Sequence, residues 1–338
     1  MKSPIFTVVF LFLAVFAFSQ ESADSLIQLG IQHHDNGQYG EAIKAYQQAL
    51  DIDDESMIAH YEIALSYMHA EEYKKAIKHS DIVIKSGGKH ALAAYVTKGS
   101  SLDYLGKTKK SIKLFKKAIN EFGDHYLLHY NLAYNYYHLE KYKEAEESAI
   151  NAINSNTAHS SSHLLLGYIK SDQNQKVQSI LSLHFFLLLE PHSDRAKVAY
   201  NLLSDQFRGN VEKDEDKPGE INIYVNADNE DSDFSAAELM LSMLEASNNI
   251  EENKEKTKEE LFIENTSSFF NILGELNEED KDGLWWDMYI PVLYNIAQSE
   301  HMDTYCYYIS QSGNEKAQQW LKDNEDKLKA FASWMNEN

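Results

Sequence analysis

Apolar residues between Ala23 and Ser193 recur at spacings of three, four and seven, the pattern of helices that each bury one face. A longer period lies over this one. Gly30, Ala64, Gly99, Ala133 and Gly167 follow one another at 34, 35, 34 and 34 residues, and twelve residues after each stands another small side chain: Ala42, Ala76, Ser111, Ala145 and Ser179. Each period reads as two helices and a tight turn. In the first, Leu26, Leu29 and Gly30 lie on helix A, Gly37 makes the turn, and Tyr39, Ala42, Tyr46, Ala49 and Leu50 form one face of helix B. In the fourth, Leu132, Ala133, Tyr136, Tyr142, Ala145, Ala152 and Ile153 take the same places. Small residues recur where paired helices cross, because a bulky side chain would push the backbones apart. One such unit cannot bury its own apolar face, so the period predicts an all-α stacked solenoid.

Repeat starts at Ala23, Met57, Leu92, Tyr126 and Ser160 give units 23–56, 57–91, 92–125, 126–159 and 160–193. Gly30, Ala64, Gly99, Ala133 and Gly167 then fall at offset 8, Tyr67 and Tyr136 at offset 11, Tyr46 and Phe115 at offset 24, and Ala49, Ala118 and Ala152 at offset 27, with Pro191 at offset 32. This pattern resembles the tetratricopeptide repeat (TPR) family. Repeat 2 departs from it at Ser80 and Val83 and carries an extra residue near Gly87–Gly88; repeat 5, with Ser179, Leu183 and Phe186, departs most. The resemblance covers about half of the chain. A helix through Val198, Leu202 and Leu203, within 194–208, is expected to cap the last repeat.

The resemblance implies protein or peptide binding, with a concave face supplied by helix A at offsets 2, 5, 9, 12 and 13. Those offsets hold Tyr61, Leu65, Met68 and His69 in repeat 2, Tyr104 in repeat 3, Tyr130, Tyr134, Tyr137 and His138 in repeat 4, and Tyr168 in repeat 5, with Ile27, Ile31, His34, Ile58 and Leu164 beside them. Lys and Arg are missing from the set, so the cationic clamp by which some family members hold a chaperone's terminal carboxylate is not expected. Tyrosine offers a large apolar surface with one polar tip, which suits a protein contact. The pairs His125/His129 and His159/His163 have the spacing of ligands on one helical face, but neither contains the Glu of an HExxH motif. Packing roles are expected for them, and no metal or cofactor.

Composition adds a direction to the charge. Residues 22–208 carry 22 acidic and 20 basic side chains, residues 209–264 carry 17 and 5, and residues 265–338 carry 13 and 5. The acidic excess repels nucleic acid and anionic lipid, and neither is expected as a partner. Residues 209–233 read as an acidic linker with at most a short strand near Ile221, and residues 234–338 as a helical C-terminal module holding all four tryptophans. Within it Trp285, Tyr289, Val292 and Ile296 suggest a helix face, and Pro291 a kink or a first turn.

Lys2, the apolar run from Ile5 to Phe18 and the small residues before Gln20 have the layout of a secretory signal peptide, residues 1–20. Export to the periplasm or beyond is therefore expected, with no integral span in the mature chain. One cysteine, Cys306, excludes an intramolecular disulfide. No P-loop, GxSxG or CxxC motif occurs. The expectation is a non-enzymatic protein-interaction scaffold, within a cell-envelope assembly. A hydrolase or transferase site in the Trp-rich module, or a self-assembling structural protein, are the alternatives.

Overall fold

The computed structural model describes residues 22–207, 211–213, 221–223, 234–248, 253, 255–277 and 281–337. The segment read as a signal peptide, and most of that read as an acidic linker, lie outside them. The chain packs as two units, residues 1–101 and 102–338. Helix A and helix B of successive repeats are α1 (Ala23–Asp35) and α2 (Tyr39–Ile52), α3 (Met57–His69) and α4 (Tyr73–Ser86), α5 (Ala91–Tyr104) and α6 (Thr108–Phe122), α7 (Tyr126–His138) and α8 (Tyr142–Ser155), and α9 (Ser160–Asp172) and α10 (Lys176–Leu189). The unit boundary falls inside α5.

The turn between helix A and helix B is the same in every repeat. One residue takes a left-handed backbone: Gly37 (φ 72), Glu71 (φ 61), Gly106 (φ 69), Glu140 (φ 55) and Asn174 (φ 57). The next amide reaches back to close the end of helix A, as in Gln38 N to His33 O (2.9 Å), Lys107 N to Leu102 O (2.9 Å) and Gln175 N to Lys170 O (2.9 Å). This six-residue closure is a Schellman motif, which satisfies carbonyls that a helix end leaves unpaired. Glycine and asparagine suit it; the two glutamates hold it against a steric cost of about 1–2 kcal/mol.

Behind the turn, the small residues let the hairpin close. A Cβ added to Gly30 would lie 2.3 Å from the Tyr46 ring, and one on Gly167 would lie 3.0 Å from Leu183. Ala64 and Ala133 are fully buried, as are Ala42, Ala76, Ser111, Ala145 and Ser179 on helix B. Where the small residue is serine it also bonds. Ser179 Oγ donates to the Gly167 carbonyl (2.9 Å), and Ser111 Oγ accepts from Asn135 Nδ2 (2.6 Å).

Unit 2 continues past the repeats with α11 (Asp194–Phe207), α12 (Ser235–Ser247), α13 (Lys258–Glu275), α14 (Ile290–Gln298), α15 (Met302–Ser310), α16 (Glu315–Asp323) and α17 (Glu325–Glu337). Strands β1 (Val211–Lys213) and β2 (Ile221–Ile223) pair antiparallel, so a hairpin stands where one short strand was expected. The buried face of α11 is Ala196, Ala199 and Leu203; of the expected residues Leu203 lies on it, Leu202 is half-buried and Val198 is 57% exposed. Pro291 sits in the first turn of α14, after a π-helical turn at Trp285–Tyr289. Tyr289 and Ile296 face inward as expected, with Trp286 and Leu293 buried in place of Trp285 and Val292.

The C-terminal helices pack on the last repeat. The π turn, α12 and α15 all meet α10, and α15 also meets α11. Helix α10 is buried from Val177 to Leu187, which explains why its sequence departs from the repeat pattern: it carries no charged residue over that stretch because it is covered all round. Two polar links cross this junction. His163 on α9 joins the Thr157 carbonyl through Nε2 (2.9 Å), so that nitrogen carries the proton, and Nδ1 accepts from the Tyr289 hydroxyl (2.5 Å). His184 on α10 meets the Tyr305 hydroxyl through Nδ1 (2.8 Å), while its Nε2 is buried without a partner. Phe185 stacks on Tyr289 at 4.2 Å, and Phe270 stands edge-on to His184 at 4.8 Å.

Two predictions follow from the packing. Glu140→Gly should raise stability by up to about 1 kcal/mol by removing the left-handed strain, whereas Gly30→Val should lower it by about 1–3 kcal/mol through overpacking. Urea midpoints of the two variants, moving in opposite directions from the parent, check both. The second concerns acid. Burial lowers the His163 pKa to about 4 and that of His184 to about 3, so the folded chain keeps both rings neutral. Above pH 6.5 neither folded nor unfolded chain binds these protons. As pH falls below 6.5 the unfolded chain takes them up and the folded chain does not, so stability drops by at most about 1.4 kcal/mol per pH unit for each ring, until the folded pKa is reached. His34, His60, His79, His90, His125 and His159 are displaced the same way, burial being the first cause in each, and steepen the loss. Urea titrations between pH 7 and about pH 4 should show a falling midpoint; a flat profile down to pH 5 would refute the buried pairs.

Candidate partner-binding face

In unit 1, α3 carries Tyr61, Leu65, Met68 and His69. Tyr61 is half-buried and stacks on His90 at 5.6 Å. Leu65 is half-buried, and Met68 packs with Ile31 and Ile58 against the unit's core. His69 is exposed; its ring stacks on Tyr39 at 5.4 Å and stands edge-on to His34 at 5.1 Å. His34 is held from below, its Nδ1 2.8 Å from Ser66 Oγ. Of the residues that the offsets put on this face, Ile27 is core, at 2% exposure, and Met68 serves the core first. The reason is that an alternating offset ignores how deeply each helix sinks between its neighbours.

Unit 2 holds the richer surface. Tyr104, at the end of α5, is 60% exposed. Tyr130, Tyr134 and Tyr137 step along α7 at spacings of four and three and are all half-buried, as is Tyr168 on α9. Tyr137 tilts against Tyr142 at 6.2 Å. Tyr130 stands edge-on to His159 at 5.1 Å, and Tyr134 tilts against His138 at 4.3 Å. Burial raises the hydroxyl pKa of Tyr130, Tyr134, Tyr137 and Tyr168, so each stays a neutral hydrogen-bond donor at physiological pH. Leu164, which the offsets also place here, is core.

Carboxylates fix two of these side chains. Tyr137 donates to Asp172 Oδ2 at 2.7 Å. His138 Nδ1 lies 3.2 Å from Asp103 Oδ2, and Thr108 Oγ1 donates to Asp103 Oδ1 at 2.6 Å. The Asp103 side chain is only 6% exposed, so its two partners replace most of the water it has lost. A fixed aromatic loses less conformational freedom on binding than a mobile one.

The repeat offsets supply no Lys or Arg to this surface. Arg195, from α11, reaches beside it: Nη1 donates to Ser161 Oγ (3.0 Å), and Nε and Nη2 donate to the two oxygens of Glu190 (3.0 and 2.5 Å). Its charge acts on Tyr130, Tyr168 and His159. Arg195 lies outside the repeats, so no repeat offset could find it. The forked pair with Glu190 neutralises it in place, and the geometry is not that of a terminal-carboxylate clamp. The histidine pairs take structural places: His125 accepts from the Leu127 amide at the start of α7 (3.3 Å), and His129 Nε2 lies 2.9 Å from Asp124. Among the described residues no cluster of three His, Cys, Asp or Glu could hold a metal ion.

Comparison with known proteins agrees with this architecture. A family model described as TPR repeat matches residues 30–69, and one described as tetratricopeptide repeat matches residues 96–159. No curated protein sequence matches the chain. Among solved structures, YrrB, described as a TPR protein with an unusual peptide-binding site, aligns at 16% identity over 51% of this chain and 89% of its own, with a TM-score of 0.38. MamA from Desulfovibrio magneticus RS-1 aligns at 16% identity over 50% of this chain and 94% of its own (TM-score 0.42). PilW, described as a widely conserved type IV pilus biogenesis factor, aligns at 14% identity over 55% and 90% (TM-score 0.47). These likenesses are remote.

Proposed function

We propose that this chain, whose residues 30–69 and 96–159 match tetratricopeptide-repeat models, is a protein-interaction scaffold that holds a peptide or protein segment on the tyrosine surface of α5, α7 and α9. The observation that carries the proposal is the row Tyr130, Tyr134 and Tyr137 along α7, each half-buried and each held by a neighbour, His159, His138 or Asp172, with Tyr104 and Tyr168 on the flanking helices. Half-buried tyrosines give a partner apolar area, with hydroxyls to fix its register. Asp103 and Asp172 beside them, and the acidic excess of the whole chain, favour a partner that is not itself acidic. In unit 1, Tyr61, Leu65 and His69 are proposed to contribute a smaller contact of their own.

The apolar run near the N-terminus supports export, and the proposed setting is a cell-envelope assembly in the periplasm or outside the cell. No helix among the described residues is long and apolar enough to cross a membrane.

Tyr134→Ala and Tyr137→Ala test the surface directly. Truncating an aromatic anchor at an interface centre costs about 2 kcal/mol or more, roughly a thirtyfold loss of affinity, while a half-exposed ring contributes little to stability. Partner capture from an envelope extract should therefore drop sharply for both variants, with little change in melting temperature. Unchanged capture with a large loss of thermal stability would show that these rings belong to the core. For export, intact-mass analysis of protein from its native host should give a mature start close to Gln20 or Glu21. Full-length protein recovered from the cytosol would refute it.

A further inference from the structure

Within unit 2 a cavity of about 520 Å³ opens between the end of the fifth repeat and the helices α15, α16 and α17. Its size lies in the range of small-molecule sites, about 300–1,000 Å³. Pro191, Leu321 and Leu328 give it an apolar lining. The walls are held by the side-chain amides of Gln311, donating to the Tyr308 carbonyl (2.6 Å), and of Gln318, donating to the Gln311 carbonyl (2.7 Å). Those donors are thus occupied by the fold itself.

Charged side chains complete the lining. Two lysines flank the cavity, Lys322 and Lys329, with one carboxylate, Glu325. Lys329 lies 3.5 Å from Glu325. Lys322 has no ion-pair partner among the described residues, in a chain where acidic side chains outnumber basic ones by 53 to 31. His192 stands edge-on to Tyr308 at 6.3 Å and closes the side next to Pro191. The cavity therefore combines an apolar body with one exposed cation, Lys322, at its edge.

We propose that this cavity binds a small organic anion with an apolar body, a medium-chain monocarboxylate, with Lys322 holding the carboxylate and Leu321 and Leu328 packing its chain. One cation in excess matches a singly charged group; a phosphate would leave charge unbalanced beside Glu325. Its ligand need not be a protein.

Isothermal titration of the mature full-length chain with octanoate, and with octanol as the uncharged analogue, tests the proposal. Octanoate should bind saturably at one site and at least tenfold more tightly than octanol, a difference of about 1.4 kcal/mol. Lys322→Gln should weaken octanoate about tenfold and leave octanol unchanged, and Lys322→Arg should keep most of the octanoate affinity. Leu328→Asp should weaken both probes. Because Lys322 and Leu328 are not in the core, melting curves should confirm that each variant is folded. Equal affinity for the two probes, octanoate binding that survives Lys322→Gln, or no saturable binding below about 10 mM (a Kd weaker than the millimolar class) would each overturn it.

Discussion

The close approach of helix A to helix B is the constraint on which the described repeats depend. Two helices can pack as a hairpin over so short a turn only if the facing positions are nearly empty and the chain reverses through a left-handed residue. The first condition is met by Gly30 against Tyr46 and Gly167 against Leu183, and by buried alanines and serines elsewhere. The second is met by Gly37, Glu71, Gly106, Glu140 and Asn174. Crossing and turn are separate requirements. A glycine answers the turn at no steric cost, and glutamate answers it because the helices on both sides are already fixed.

Once the hairpins close, each repeat leaves an apolar face to be covered. For the fifth repeat the cover is the C-terminal helices, and this changes what α10 can be. A terminal hairpin needs a polar outer side; α10 has none, and His184, Phe185 and Phe186 are buried among Tyr289, Tyr305, Phe207 and Phe270. The two histidine–tyrosine links then serve a packing purpose. Each lets a ring with a polar atom lie inside an apolar junction, and each ties the junction to the neutral form of the imidazole.

Binding surface and scaffold are made from the same helices. On α7, Leu132, Ala133 and Tyr136 hold the hairpin together, while Tyr130, Tyr134 and Tyr137 lie on the other side of the same turns. The partition needs no special local structure, only a helix with two apolar faces of different exposure. That is also why tyrosine recurs: a ring that is half-covered by its neighbours keeps a hydroxyl that can still be hydrated or bonded.

The sequence by itself determined the helical repeat, because the spacing of Gly30, Ala64, Gly99, Ala133 and Gly167 is a steric demand that each hairpin makes locally. It also placed the tyrosines of α7 on one face, since helical periodicity alone does that. Other features depended on contacts between residues far apart in the chain. Arg195 comes to the tyrosine surface from a helix beyond the repeats, and Asp103 is a surface-type residue until His138 and Thr108 cover it. The burial of α10 depended on helices far along the chain, as in its pairing of His184 with Tyr305. Local patterns record what a helix needs from its own turn and its next neighbour. Only the tertiary structure decides which distant chain segment meets the faces that remain, because that depends on the whole path of the backbone.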